Sequence, residues 1–168
     1  QNIVKCLRLC GLEVKDIILA QLASSHAVLT DDEKELGVCL IDIGGGTTDI
    51  AIFCEGAIQH TAVIPIAGDQ VTNDIATALR TPTKAAESMK LSHACALPEL
   101  TNPNQMLDVA SVNERQGRKI SAKALSDVVS ARYEELFSLV KGELRRSGFE
   151  DRMAAGIVLT GGASNVRG

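Results

Sequence analysis

The chain has 168 residues, of which 45% are apolar and 23% are charged, and this composition excludes an intrinsically disordered protein. A net charge of -4, with three Phe, one Tyr and no Trp, argues against a nucleic-acid-binding surface. The apolar runs are shorter than the roughly 18 residues of a membrane-spanning helix, and we expect no signal peptide. The five cysteines lack the spacing of a zinc site, so we expect them to be reduced.

The N-terminal segment predicts short elements. Apolar residues recur with helical spacing from Ile3 to Cys10, and Gly11 is placed to end that helix. We interpret the apolar run at 14–22 as a strand and residues 23–29 as a short helix. The polar residues 30–34 are expected to be a linker.

The next segment predicts a meander of three antiparallel strands. The strands are expected at 36–43, 50–54 and 57–64. The first is apolar apart from Asp42, which is typical of a strand buried on both faces. Glu55 and Gly56 form a two-residue hairpin signal.

Helices follow the meander. Asp69 is expected to cap the first of them, whose core face carries Val71, Ile75 and Leu79.

Thr81 and Pro82 begin another helix that runs to about Ala94. Residues 97–118 are polar and turn-rich, with a short strand near 107–112. A long helix is expected at 121–146, with Gly148 ending it, and the last buried strand is expected at 157–160.

A glycine-rich turn carries the first chemical signal. Asp42 ends a strand, and Gly44, Gly45, Gly46, Thr47, Thr48 and Asp49 follow it. Glycines let backbone amides converge on phosphate oxygens, and acids beside a phosphate require a cation such as Mg²⁺ between them. The alternative is a hairpin turn with solvated acids. The sequence matches neither a Walker loop nor a dinucleotide fingerprint.

Two further signals support a ligand site. The strand at 157–160 opens into Gly161, Gly162, Ala163 and Ser164, so two glycine turns could hold opposite ends of one ligand. Glu87 and Lys90 lie three residues apart on one helix face. They either contact ribose hydroxyls or form an ordinary surface ion pair.

These residues carry a resemblance to a known superfamily. The turn at 42–49 resembles the second phosphate loop of the superfamily of actin, Hsp70 and the sugar kinases, and 159–164 resembles its adenosine loop. More narrowly, the whole chain resembles the FtsA family of bacterial cell-division proteins. The segments that carry this narrower likeness are 36–39, 63–69, 132–136 and 154–162.

The resemblance implies an α/β, actin-like ATPase fold with a ribonuclease-H-like motif, of which the chain would be the second half. The implied divisions are a tail of the preceding subdomain at 1–31, a nucleotide-binding subdomain at 32–80 plus 153–168, and an inserted lobe at 81–152. The implied protein is a cytoplasmic scaffold, peripheral on the inner membrane at the division septum. The resemblance also implies that the membrane-binding segment of the family would lie outside this chain.

The resemblance also implies ligands and partners. ATP with Mg²⁺ would bind through residues 42–49, Glu87, Lys90 and 161–164, and self-association would form filaments. The inserted lobe would bind the acidic C-terminal tail of the tubulin-like protein FtsZ. A basic cluster suits that tail, although its members could equally be solvated charges: Arg115, Arg118, Lys119, Lys123 and Arg132.

One departure from the superfamily concerns hydrolysis. Where many members have a Glu or Gln that orients the attacking water, this chain has Ala20, with Gln21 next to it. Since a methyl group cannot hold water, we expect slow or negligible ATP hydrolysis. The rival readings are a phosphotransferase or chaperone-type ATPase of the same superfamily, and a fold that binds no nucleotide and serves assembly alone.

Overall fold

The computed structural model describes residues 2–111 and 117–168 and is built around a four-stranded mixed sheet. The strand order is β3-β2-β1-β6. The strands are β1 (Val38–Ile43), β2 (Thr48–Cys54), β3 (Ala57–Ile64) and β6 (Ile157–Thr160). The first strand pairs antiparallel with β2 and parallel with β6, so the predicted meander and the returning last strand are confirmed.

Six α-helices, three short 3-10 helices and a small hairpin are the other elements of the described residues. The helices are α1 (Asn2–Leu9), α2 (Ala20–Val28), α3 (Asp31–Leu36), α4 (Gly68–Ala78), α5 (Thr83–His93) and α6 (Ala122–Ser147). The hairpin pairs β4 (Met106–Val109) with β5 (Arg118–Ser121). The long helix begins as predicted, because the Ser121 side chain accepts from the Ala124 amide, and it ends at Gly148, which has a φ of 73°.

Three predictions near the termini of elements are wrong. Residues 12–19 form no strand; Ile17 and Ile18 are exposed, and α2 begins at Ala20. The expected linker at 30–34 instead begins α3, because Thr30 and Glu33 form a reciprocal capping box. The helix after the meander begins at Gly68 with Ala67 in the capping position, so Asp69 lies in its first turn.

Buried apolar side chains cover both faces of the sheet. Cys39, Ile41 and Ile43 of β1 pack with α4, α5 and α6, and the predicted core face of α4 is buried as expected. Alternate residues of β1 and β2, Val38, Leu40, Ala51 and Phe53, cluster with Leu29 on the other face. These layers fix the sheet end where β1 and β6 finish.

Within residues 2–111 and 117–168, no helix combines the length and the hydropathy that crossing a bilayer demands.

Candidate functional site

The two glycine turns meet at one end of the sheet. Because β1 and β6 are adjacent and parallel, with Asp42 beside Thr160, the turns that follow them emerge side by side. Gly161 has a φ of 90°, and a Cβ atom there would lie 2.4 Å from the Ile43 carbonyl oxygen. The two turns are therefore in direct backbone contact, and only glycine fits at this point.

The start of α4 closes the third side of this junction. The amides of Gly68 and Asp69 donate to the carbonyl oxygens of Gly44 (3.0 Å) and Gly45 (2.8 Å). A Cβ on Gly68 would lie 3.3 Å from both the Ala163 Cβ and the Lys90 Nζ. Gly68 is thus the point where both turns and α5 come together, a role that the sequence analysis missed.

A cavity of about 720 Å³ opens beside this junction. Six of the predicted site residues line it: Gly44, Gly45, Glu87, Lys90, Gly162 and Ala163. The other predicted residues are close to these in sequence but do not line the cavity; they are Asp42, Gly46, Thr47, Thr48, Asp49, Gly161 and Ser164. Gly68 and Asp69 line the cavity too, and its far end is formed by the segment after α5 and by Val166 and Arg167.

Lys90 is buried in a hydrogen-bonded network. Its ammonium group, on a side chain only 9% exposed, donates to the Gly68 carbonyl (2.9 Å) and the Thr72 hydroxyl (2.8 Å), and lies 2.8 Å from a Glu87 carboxylate oxygen. All three ammonium protons therefore have partners. Both residues lie on α5, and the bonds of Lys90 to Gly68 and Thr72 join that helix to α4, so Lys90 is not a solvated surface residue.

The environment of Glu87 favours its charged form. Partial burial opposes ionisation, but hydrogen bonds from Lys90 and Thr72 outweigh it and hold the pKa of this carboxyl below its usual value. The network thus presents a fixed carboxylate at the cavity edge, where it can accept from a ligand hydroxyl.

The two predicted metal-binding acids face each other. Asp42 and Asp49 are directly opposite in the β1–β2 pairing. Like charges in this position repel, so the arrangement gains from a cation. Two carboxylates beside a glycine turn are a donor set that fits Mg²⁺, which completes its shell with water and phosphate. The described residues contain no cluster of three or more metal-binding side chains that would hold a metal alone.

Helix α2 supplies polar partners to both acids. Ser24 donates to Asp42 at 2.6 Å, and the Gln21 amide donates to Asp49 at 2.9 Å. Ala20 has no polar group, as the sequence shows, but the buried neighbour Gln21 contacts the acid instead. Slow ATP hydrolysis stays a prediction from the sequence.

Two predicted hydroxyl groups are used within the fold. Thr48 is fully buried and donates to the Ile66 carbonyl at 2.7 Å. Ser164 donates to the Gly161 carbonyl at 2.7 Å, across its own turn. Thr47 is exposed and donates to Asp49 at 3.2 Å, so its hydroxyl is the one beside the acids.

Two members of the predicted basic cluster make internal contacts, whereas Lys119 and Lys123 are exposed. Arg132 donates to both carboxylate oxygens of Asp74, at 2.5 and 2.9 Å, and to Glu135 at 2.5 Å. Arg118 donates to the Leu79 carbonyl. Arg115 lies outside the described residues.

Solved structures identify the class to which this fold belongs. MreB5 of Spiroplasma citri bound to ADP matches 99% of this chain and 54% of its own with a TM-score of 0.75 at 24% identity. The same protein bound to AMPPNP gives a TM-score of 0.77 at 22% identity over 99% and 53% of the two chains. The MamK double helical filament gives 0.59 at 18% identity over 78% and 43%. The chain has the actin-like fold, as expected.

Sequence comparison identifies the family. The family model for cell division protein FtsA matches residues 39–168. The proteins of that name from Pseudomonas aeruginosa, Neisseria meningitidis and Escherichia coli are 67%, 50% and 49% identical over the whole chain. This chain belongs to the FtsA family, and it spans 40–42% of the length of these relatives.

Proposed function

We propose that the chain is the nucleotide-binding part of an actin-like cell-division scaffold that binds ATP with Mg²⁺. The observation that carries this proposal is the convergence of the two glycine turns on one cavity. A turn of bare amides beside two acids suits a metal-bound phosphate chain, and the second turn lies where the remainder of the same ligand would extend.

In this proposal, each group of residues binds a different part of ATP. The Gly44 amide already donates to the Thr47 carbonyl at 3.0 Å, so the amides of 45–47 and the Thr47 hydroxyl bind phosphate oxygens. Asp42 and Asp49 hold Mg²⁺ through water. When bound, the metal neutralises phosphate charge beside the two acids. Glu87 accepts from the ribose hydroxyls, Lys90 holds the Glu87 carboxylate in place, and residues 161–164 face adenosine.

ATP binding is the part of the chemistry that this chain supports. Gln21 lies against Asp49, where its amide could orient a water molecule, so any hydrolysis would depend on Gln21 and not on Ala20. Family membership favours the scaffold over a phosphotransferase or a chaperone-type ATPase.

The proposal extends to assembly. Nucleotide-bound copies polymerise head to tail, and the scaffold links the FtsZ ring to the cytoplasmic side of the inner membrane. The filament named in the MamK structure supports a role for this fold in polymers. We keep the division into 1–31, 32–80 plus 153–168, and the lobe 81–152 that would bind the FtsZ tail.

The FtsZ-tail proposal has its own test. Reversing the charge of Arg118 and Arg132 together should weaken tail binding. Because Arg132 also pairs with Asp74, an Asp74→Asn variant controls for the loss of that internal contact. Tail binding that survives both reversals would remove the assignment.

Equilibrium binding of ATP tests the central proposal. Titration calorimetry should use the protein in its longest natural form, with and without Mg²⁺. We expect binding that Mg²⁺ strengthens and that Asp42→Ala makes largely independent of the metal. An absence of ATP binding under both conditions would instead support the reading as an assembly fold without nucleotide.

A further inference from the structure

The hydroxyl of Tyr133 donates to the carbonyl oxygen of Ala163 at 2.6 Å. Tyr133 is only 7% exposed and lies in the middle of α6, whereas Ala163 belongs to the second glycine turn and lines the cavity. We propose that Tyr133 is a positioning residue that holds this turn in the geometry that nucleotide binding needs. The inference rests on the proposed function and adds a residue to it.

The turn packs against the end of β1 and the start of α4, but few side-chain hydrogen bonds reach it. Its remaining side-chain hydrogen bonds are local, from Ser164 to Gly161 and from Asn165 to Gly161 and Gly162. Among residues 2–111 and 117–168, Tyr133 supplies the one side-chain hydrogen bond that reaches residues 161–165 from another element. Local bonds shape a turn, but a bond from a long helix fixes where the turn lies.

The neighbour of Tyr133 ties the same helix to α4, whose first two residues line the cavity. Arg132 makes a two-pronged ion pair with Asp74 of α4, whose first residue, Gly68, packs against Ala163. Two successive residues of α6 therefore hold α4 and the turn together. The Gly68 carbonyl also accepts a hydrogen bond from Lys90. The distance between the turn and the Glu87–Lys90 pair therefore depends on these two contacts of α6.

The hydroxyl is suited to act as a permanent donor. Burial raises the pKa of Tyr133 to about 12, so the proton stays on the oxygen throughout the physiological range. The ring also contacts Phe137, with centroids 6.3 Å apart. Removing the oxygen alone would therefore leave the packing of the ring in place.

The test is Tyr133→Phe in the longest natural form of the protein. Ser130→Ala is the matched control, because Ser130 is also buried on α6 but bonds to Glu134 and not to the turn. Three quantities are measured for each: the affinity for ATP with Mg²⁺, the melting temperature, and amide hydrogen exchange of residues 161–166 with and without ATP.

We expect Tyr133→Phe to weaken ATP binding about 3- to 10-fold, in line with the loss of one hydrogen bond to a partly buried carbonyl. Exchange should rise at 161–166 alone, and saturating ATP should restore protection there. Ser130→Ala should change neither the ATP affinity nor the amide exchange at 161–166. An unchanged ATP affinity, or faster exchange spread along α6 with a lower melting temperature, would overturn the inference. If the unmodified protein binds no ATP, the proposed function itself is wrong, and the inference about Tyr133 is wrong as well.

Discussion

Gly161 leaves the space that the Ile43 carbonyl oxygen occupies: a Cβ on Gly161 would lie 2.4 Å from that oxygen and 2.5 Å from an Asp42 carboxylate oxygen. One turn therefore depends on the absence of a side chain in the other. This contact joins the two glycine turns into one unit, to which the start of α4 is also hydrogen-bonded.

Gly161→Ala should destabilise the protein by about 2 kcal/mol or more, because it adds a clash to a φ that alanine rarely adopts. It should also abolish measurable ATP binding. Chemical denaturation and calorimetry measure the two effects. Gly162→Ala is the control for stability, since a Cβ there meets no protein atom within 4 Å. Equal losses of stability for the two substitutions would refute the steric argument.

Lys90→Met should cost about 1–3 kcal/mol of unfolding free energy, because it leaves the Gly68 carbonyl, Thr72 and Glu87 without their donor. ATP affinity should fall by about tenfold or more, as the ribose-binding carboxylate loses its support. Lys84→Met on the exposed side of the same helix should have little effect on either quantity. A Lys90 variant as stable as the Lys84 variant would contradict the buried network.

Asp42→Asn should have opposite effects on stability and on metal-dependent binding. Without Mg²⁺ it should stabilise the protein by about 0.2–1 kcal/mol, because it relieves repulsion from Asp49 across the strand pair. With Mg²⁺ it should weaken ATP binding more than it does without the metal. Asp151→Asn, at an exposed position, is the control. A lower stability in the absence of metal would show that the two acids do not repel.

The lowered pKa of Glu87 predicts a pH dependence. A carboxyl whose pKa falls on folding stabilises the folded state above its unfolded value, near 4.5, and loses that contribution as the pH drops through the folded value. The difference in melting temperature between the unmodified protein and Glu87→Gln should therefore be largest at neutral pH and shrink below about pH 4.5. It should be modest, since the side chain is 42% exposed.

Glu150→Gln, at an exposed position, should show no such trend. A gap between the unmodified protein and Glu87→Gln that stays constant from pH 7 to pH 3 would mean that the charge of Glu87 contributes nothing.

Local signals in the sequence were sufficient for the elements that local physics determines. The third strand has the predicted bounds, because Glu55 and Gly56 adopt the positive φ angles, 55° and 73°, of a tight hairpin. The long helix follows from one apolar stripe between Ser121 and Gly148. The glycine turn at 44–46 was found because glycines beside acids are chemically unusual.

The parts that sequence reasoning missed depend on contacts between distant residues. Gln21 reaches Asp49 across 28 positions, and Lys90 reaches Gly68 across 22. The spacing of apolar residues along the sequence does not indicate which distant residues come into contact. The run at 14–22 has the composition of a strand, but a strand also needs a neighbouring strand to pair with. The four-stranded sheet consists of β1, β2, β3 and β6, and residues 14–22 pair with none of them.

A crystal structure of the longest natural form with a non-hydrolysable ATP analogue and Mg²⁺ tests the central claim most directly. We expect phosphate density within hydrogen-bond distance of the amides at 45–47, the metal between the phosphates and the two acids, and the nucleoside against residues 161–164. Nucleotide density elsewhere, or an absence of nucleotide density at the junction of the two glycine turns under saturating conditions, would contradict this expectation.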